Sequence, residues 1–226
     1  MTGLKDVKGV IFDFNGTLIF DSHIHRAVWR DFIPAHTGRH ITDDEVDRKM
    51  LGRDNAHILH DYLGEISDEE TERLTYEKEA EYRRRCLTDP TFHLISGAAA
   101  FLDLLKEKKV PVTIATGSER LNIEFYFEHL DLARWFDPAR VVYDDGTFPG
   151  KPEPDIYRIA ASRLGLATRE CLVFEDSFSG IRAAHNAGIG HVVAVSEVSP
   201  APNYECSGGV DTILHNFDNA AELFAF

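Results

Sequence analysis

Short apolar runs recur along the chain at residues 10–14 (VIFDF), 112–115, 141–143, 171–174 and His191–Val195. Most are rich in β-branched or aromatic residues and apolar at successive positions, which suits parallel strands covered by helices on both faces. Between the later runs the period changes to that of a helix. Residues 97–109 carry Phe101, Leu104 and Leu105 on one side and end in Lys106, Lys108 and Lys109, cations that suit a helix C-terminus. Asp155–Leu164 follows Pro154 and stops at Gly165, and residues 179–187 stop in the same way at Gly188. Strand and helix in alternation predict an α/β protein with a Rossmann-like, doubly wound, mostly parallel sheet.

Residues 21–92 break that rhythm, with helical periodicity and no convincing strand. Ile24, Val28, Trp29 and Phe32 share one face, and Pro34 is predicted to end their helix. Thr42 with Glu45, and Ser67 with Glu70, have the spacing of capping boxes. Ile58, Leu59, Tyr62 and Leu63 mark a helix that closes at Gly64, and the charge-rich residues 68–85 are predicted to face mostly solvent. The expected organisation is a catalytic core of residues 1–20 and 93–226 with an α-helical cap domain, residues 21–92, inserted above the C-terminal ends of the strands.

Composition narrows the function. At 226 residues and 43% hydrophobic, the chain can bury a core and an insert. Its net charge of −14 argues against a nucleic-acid partner, which needs a basic surface. No apolar run has the length of a membrane span. Residues 1–8 lack an apolar signal stretch, and the three cysteines form no CxxC pair, so a cytoplasmic location with reduced thiols is expected.

Chemistry-bearing residues gather where predicted strands end. The first run leads into Asp13-Phe14-Asn15-Gly16-Thr17, the second into Thr116-Gly117-Ser118. Gly150-Lys151-Pro152-Glu153-Pro154-Asp155 follows the third, and Glu175-Asp176-Ser177 the fourth. A carboxylate able to attack phosphorus, acids able to hold Mg²⁺, and a lysine and a hydroxyl to steady phosphoryl oxygens make a phosphoryl-transfer set. Singly each has a plainer reading: a turn at Asn15-Gly16, a solvated Lys151, a helix cap at Ser177. Four in register with four strand ends favour the chemical one.

In this order the motifs resemble those of the haloacid dehalogenase (HAD) superfamily, in the branch with a helical cap after the first motif. The chain looks like a β-phosphoglucomutase-like phosphatase over essentially its whole length. The resemblance implies that Asp13 is a nucleophile that becomes an aspartyl-phosphate, and that Thr116 and Lys151 hold the phosphoryl group. It implies one cofactor, Mg²⁺, bound by Asp13, the carbonyl of Asn15, Asp176 and Glu175. The expected substrate is a small phosphorylated metabolite of sugar-phosphate type, with neither membrane nor nucleic-acid partner, and the expected assembly a monomer or weak dimer.

The chain also departs from that pattern. Phosphatases and mutases of the family usually carry a second Asp, a general acid and base, where this chain has Asn15. An amide shuttles no proton, so another group substitutes, or turnover is slow, or the leaving group needs little protonation. His25 is the candidate substitute, with a surface or hinge role as the plainer alternative. Gly52-Arg53-Asp54-Asn55 resembles the cap loop that holds the non-reacting part of the substrate; Arg53 either clamps an anion or pairs with a nearby acid. Gly117, Ser118 and Arg120 complete the expected substrate contacts. Glu119 stands where mutase relatives have a lysine, which disfavours a sugar-phosphate mutase. The remaining alternative is a catalytically impaired phosphate-binding or regulatory protein, with Asn15 as the disabling change.

Overall fold

The structure, a computed structural model, describes residues 4–50 and 53–224, the side chain of Asp47 excepted. Among them the chain divides into two compact units, one of residues through Phe20 with those from His93 onward, the other Asp21–Phe92.

The second unit is helical: α1 (Ser22–Thr37), α2 (Asp43–Lys49), α3 (Asn55–Leu63) and α4 (Asp68–Cys86). Thr42 and Ser67 accept the backbone N–H of Glu45 and Glu70, so the N-cap half of each expected capping box forms, while the Glu45 side chain accepts from Arg39 and Tyr62 and that of Glu70 from Arg73. Trp29, Phe32, Ile33, Val46, Ile58, Leu59 and Leu74 close its apolar centre. Two expectations fail here. Helix α1 runs through Pro34 and ends at Gly38, whose φ of 69° accepts the left-handed turn. The proline costs α1 one backbone bond near its end, while Phe32 and Ile33 beside it are buried. Helix α4 does not simply face solvent: Thr71, Leu74, Lys78, Glu79, Tyr82 and Cys86 form a buried stripe.

The first unit carries β1 (Gly9–Phe12), β2 (Val112–Glu119), β3 (Val142–Asp144), β4 (Cys171–Glu175), β5 (His191–Val195) and β6 (Thr212–Leu214). They form one sheet in the order β3-β2-β1-β4-β5-β6, with every pairing parallel. Helices α5 (Ala98–Glu107), α6 (Arg120–His129), α7 (Asp155–Leu164) and α8 (Phe178–Ala187) alternate with the strands. On one sheet face Ile11, Ala115, Val173 and Val192 pack with Ile156, Ala160, Ile181 and Ala184. On the other, Phe12 stacks on Phe174 at 5.2 Å and both meet the rings of Phe101 and Phe217. Each such ring, fully buried, contributes roughly 1.5–3 kcal/mol. Helix α6 and strand β6 were not foreseen, and β2 runs four residues beyond its predicted end to pair Glu119 with Asp144 of β3.

The strand order reverses beside β1. The chain builds outward through β2 and β3, then crosses back to set β4 against the other side of β1. Crevices at the C-terminal ends of strands flanking such a reversal are where these sheets hold ligands.

Candidate active site

Parallel register fixes what emerges there. Phe12 lies opposite Phe174 of β4 and Ile114 of β2, so Asp13 and Glu175 come level toward the C-terminal ends of neighbouring strands, with Thr116 of β2 one position further along. The Asp13 N–H donates to the Phe174 carbonyl at 2.9 Å, which ties the first residue after β1 to its neighbour. Beyond it the chain turns sharply: Gly16 has φ of 79° and donates to the Ile19 carbonyl at 2.8 Å. A Cβ on Gly16 would strike the Asp176 carboxylate, so glycine is needed both for the turn and for that approach.

Lys151 sits among these acids. Its Nζ donates to Asp13 Oδ1 and to Glu175 Oε1, each at 2.6 Å. Burial works against its charge, yet the Asp13 and Glu175 carboxylates outweigh burial and hold the ammonium well above its ordinary pKa. The solvated-loop reading of Lys151 is therefore excluded: its side chain is only 11% exposed.

Glu175 is the anchor of the group. Its Oε1 also accepts from the Tyr157 hydroxyl at 3.1 Å, and Oε2 accepts from the Ser177 N–H at 2.6 Å and its Oγ at 3.0 Å. Ser177 caps α8 by accepting from the Gly180 N–H, so the plainer cap reading holds for Ser177 itself. The Tyr157 phenol is pushed well above its ordinary pKa by burial and then by the Glu175 carboxylate, so it acts as a donor.

Oxygen atoms of Asp13, Glu175 and Asp176 lie within 4.8 Å of one another. Three carboxylates facing one ammonium leave a formal excess of two negative charges. Hard oxygens at this spacing with that excess fit a small divalent cation, and Mg²⁺ in particular. Hydrogen bonds from Lys151, Tyr157 and Ser177 engage both Glu175 oxygens.

Thr116 is buried within β2, three residues before the strand ends at Glu119, and its Oγ1 accepts from the Ser118 N–H at 3.2 Å. Gly117 is exposed there. Ser118 Oγ donates to Asn15 Oδ1 at 2.7 Å, and Asn15 Nδ2 donates to the Tyr126 hydroxyl at 2.9 Å. The expected substrate contact of Ser118 is thus directed onto Asn15. Arg120, exposed, pairs with Glu124 one turn along α6.

In the helical unit the expected residues bond to their own neighbours. Arg53 pairs with Asp61 at 2.9 Å and donates to the Lys49 carbonyl, so it follows the ion-pair reading. Asn55 donates to Glu79 Oε1 at 2.8 Å. His25 stacks on Tyr82 with 4.0 Å between ring centres and lies between Asp21 and Lys78. Gly52 is outside the described residues. Tyr126, Tyr157 and the buried Lys78 escaped the sequence reading: Tyr126 lies on the unforeseen α6, and Tyr157 stands in α7 beside Ile156 with no motif around it.

Fold and site together define a doubly wound α/β protein with a carboxylate–lysine centre at its topological switch point. The model of the haloacid dehalogenase-like hydrolases matches residues 7–188, and the chain belongs to that family. A phosphorylated carbohydrates phosphatase of Thermotoga maritima is 29% identical over 195 residues, covering 84% of this chain and 85% of its own. Fructose-1-phosphate phosphatase YqaB of Escherichia coli is 32% identical over 184 residues, 80% of this chain and 93% of its own. Among solved structures, a HAD hydrolase of family IA, variant 3, from Entamoeba histolytica superposes with TM-score 0.85 at 34% identity, over 94% of both chains. A β-phosphoglucomutase of Clostridium difficile shares the fold, with TM-score 0.77 at 22% identity over 94% and 92% of the two chains.

Proposed function

We propose that the chain is a Mg²⁺-dependent phosphatase that hydrolyses a small phosphorylated metabolite through an aspartyl-phosphate at Asp13, with residues 21–92 serving as its cap domain. The observation that carries this reading is the Lys151 ammonium held 2.6 Å from both Asp13 and Glu175. An Asp13 carboxylate steered by Lys151, beside a cation-fitting acid cluster, suits attack on a phosphate. The named relatives that act on phosphorylated carbohydrates and fructose 1-phosphate support a sugar-phosphate-like substrate.

Asp13, Asp176 and the Asn15 carbonyl would hold Mg²⁺, which when bound neutralises phosphoryl oxygens. Asp13 presents one carboxylate oxygen to phosphorus. Lys151 balances the charge that spreads over the phosphoryl oxygens, and Glu175, braced by Tyr157 and Ser177, keeps Lys151 in place. The Thr116 hydroxyl and the Gly117 backbone supply neutral hydrogen-bonding groups beside it. Glu119 in place of a mutase lysine favours hydrolysis over isomerisation. The test is phosphate release from a panel of phosphorylated small metabolites, with Mg²⁺ and with a chelator. Release that depends on the metal supports the reading; no release from any member, or release untouched by chelation, contradicts it.

A further inference from the structure

Cleaving a phosphate ester of an ordinary alcohol calls for a proton on the departing oxygen, and Asn15 and His25 are the two candidates that the sequence offers for supplying it. Neither is arranged to do so. Asn15 stands two residues beyond Asp13, and both ends of its carboxamide are engaged: Ser118 Oγ donates to Oδ1 at 2.7 Å and Nδ2 donates to Tyr126 at 2.9 Å. Tyr126 is itself fully buried and stacked on Phe14, with ring centres 4.4 Å apart. The amide is therefore pinned by two partners, and an amide in any orientation has no transferable proton.

His25 is occupied within its own unit. Its Nδ1 lies 3.1 Å from Lys78 Nζ and its Nε2 3.4 Å from Asp21 Oδ2. An ammonium has only N–H to offer, so Nδ1 accepts and Nε2 carries its hydrogen toward Asp21. Lys78 is in turn fixed by Glu79 at 2.6 Å and Asp21 by the Tyr82 hydroxyl at 2.6 Å. Both ring nitrogens are thus committed to groups inside the helical unit.

We infer that this site expels its leaving group unprotonated, so among small phosphorylated metabolites, sugar phosphates included, it favours those joined through an acidic oxygen, such as anomeric, enol or acyl phosphates, over phosphates of simple alcohols. The inference rests on the phosphatase reading above. In the first step an Asp13 oxygen bonds to phosphorus, the bond from phosphorus to the leaving oxygen breaks, and that oxygen departs with the electron pair. It takes a proton from solvent only afterwards, and as a carboxylate it needs none. In the second step water oxygen bonds to the same phosphorus, the Asp13 carboxylate is released, and the water proton passes to solvent. Ser118 and Tyr126 are positioning residues that keep the Asn15 amide in place.

The experiment compares acetyl phosphate with glycerol 3-phosphate, using the full chain and its Asn15→Asp variant at fixed Mg²⁺. For the parent, kcat/KM for acetyl phosphate is expected to exceed that for glycerol 3-phosphate by about 10³-fold or more. Asn15→Asp is expected to narrow that gap by about 10²-fold or more, the worth of a positioned acid, by raising the glycerol 3-phosphate rate. A second readout needs no variant: the parent's phosphoryl-transfer step in heavy water should show no solvent isotope effect, because no proton is in flight. Comparable parent rates on the two phosphates, or a clear isotope effect, overturn this inference and leave the hydrolytic reading standing. Phosphate release from neither overturns both.

Discussion

Both units bury charged side chains, but they bury them differently. In the sheet unit Lys151 lies among Asp13, Glu175 and Asp176, more acid than base, at the ends of strands. In the helical unit Lys78 lies between Glu79 and His25 with the Trp29 ring 4.9 Å beneath it, in the middle of α4. The first cluster gathers three carboxylates and one ammonium at the ends of strands, and burying such a group costs free energy that its hydrogen bonds must offset. The second is hydrogen-bonded from within its own unit: Lys78 and Asn55 donate to Glu79, and the Tyr82 hydroxyl donates to Asp21. Three acids gathered at strand ends suit a cation; a cluster whose partners lie within its own helices holds that unit together.

Substitutions can break that contrast. The largest effect is expected from Asp13→Asn, which is nearly isosteric and should leave the melting transition close to the parent's while phosphate release falls to background. Activity near the parent's level would remove the distinction between the two clusters. Next comes Lys151→Met, which strips the central cation from the sheet cluster. It is expected to abolish turnover and to destabilise the fold by about 3 kcal/mol, as loss of one member of a buried ionic group does. Adding Glu175→Gln should restore part of that stability and none of the turnover, measured by denaturation and phosphate release on the same samples.

Lys78→Met is expected to cost the helical unit about 3 kcal/mol by leaving Glu79 buried without its cation. Here Lys78→Met with Glu79→Gln should recover most of the loss, and a double-mutant cycle reads the coupling directly. Additive losses would mean that the helical charges are not coupled. The smallest effect belongs to the surface of the same helix. Glu81 is held down to about 2, first by its hydrogen bonds to Arg84 and then by Arg85 against a burial effect that raises it. A depressed carboxylate pKa contributes stability that is present above the unfolded value and fades as pH falls toward 2. Glu81→Gln should nonetheless shift the melting temperature at pH 7 by less than about 3 °C, because the pair is largely solvent-exposed.

The same contrast explains what could be read from the sequence. Sheet chemistry was legible because a strand end is announced by an apolar run, and Asp13, Thr116 and Glu175 each follow one directly. Parallel register then brings them together with no further information. Lys78 and Glu79 were illegible because they stand among acidic and basic residues of a charge-rich helix, where one-sided burial leaves little trace in composition. Helix α1 outran Pro34 because packing of Phe32 and Ile33 outweighs one missing backbone bond. Strand β6, three residues long with an exposed Ile213 at its centre, offers no apolar run to find. The commitment of Ser118 and Tyr126 to Asn15 depends on how β1, β2 and α6 pack, and no spacing encodes it.

The central claim is that Asp13 becomes phosphorylated. It is tested most directly by mixing the protein with acetyl phosphate and Mg²⁺, quenching in acid and mapping the modified peptide by mass spectrometry. The account expects the mass of one phosphoryl group on the peptide containing Asp13, and no label on that peptide in the Asp13→Asn variant. Phosphate release with that peptide unlabelled throughout turnover, or with a label that persists in Asp13→Asn, would contradict it.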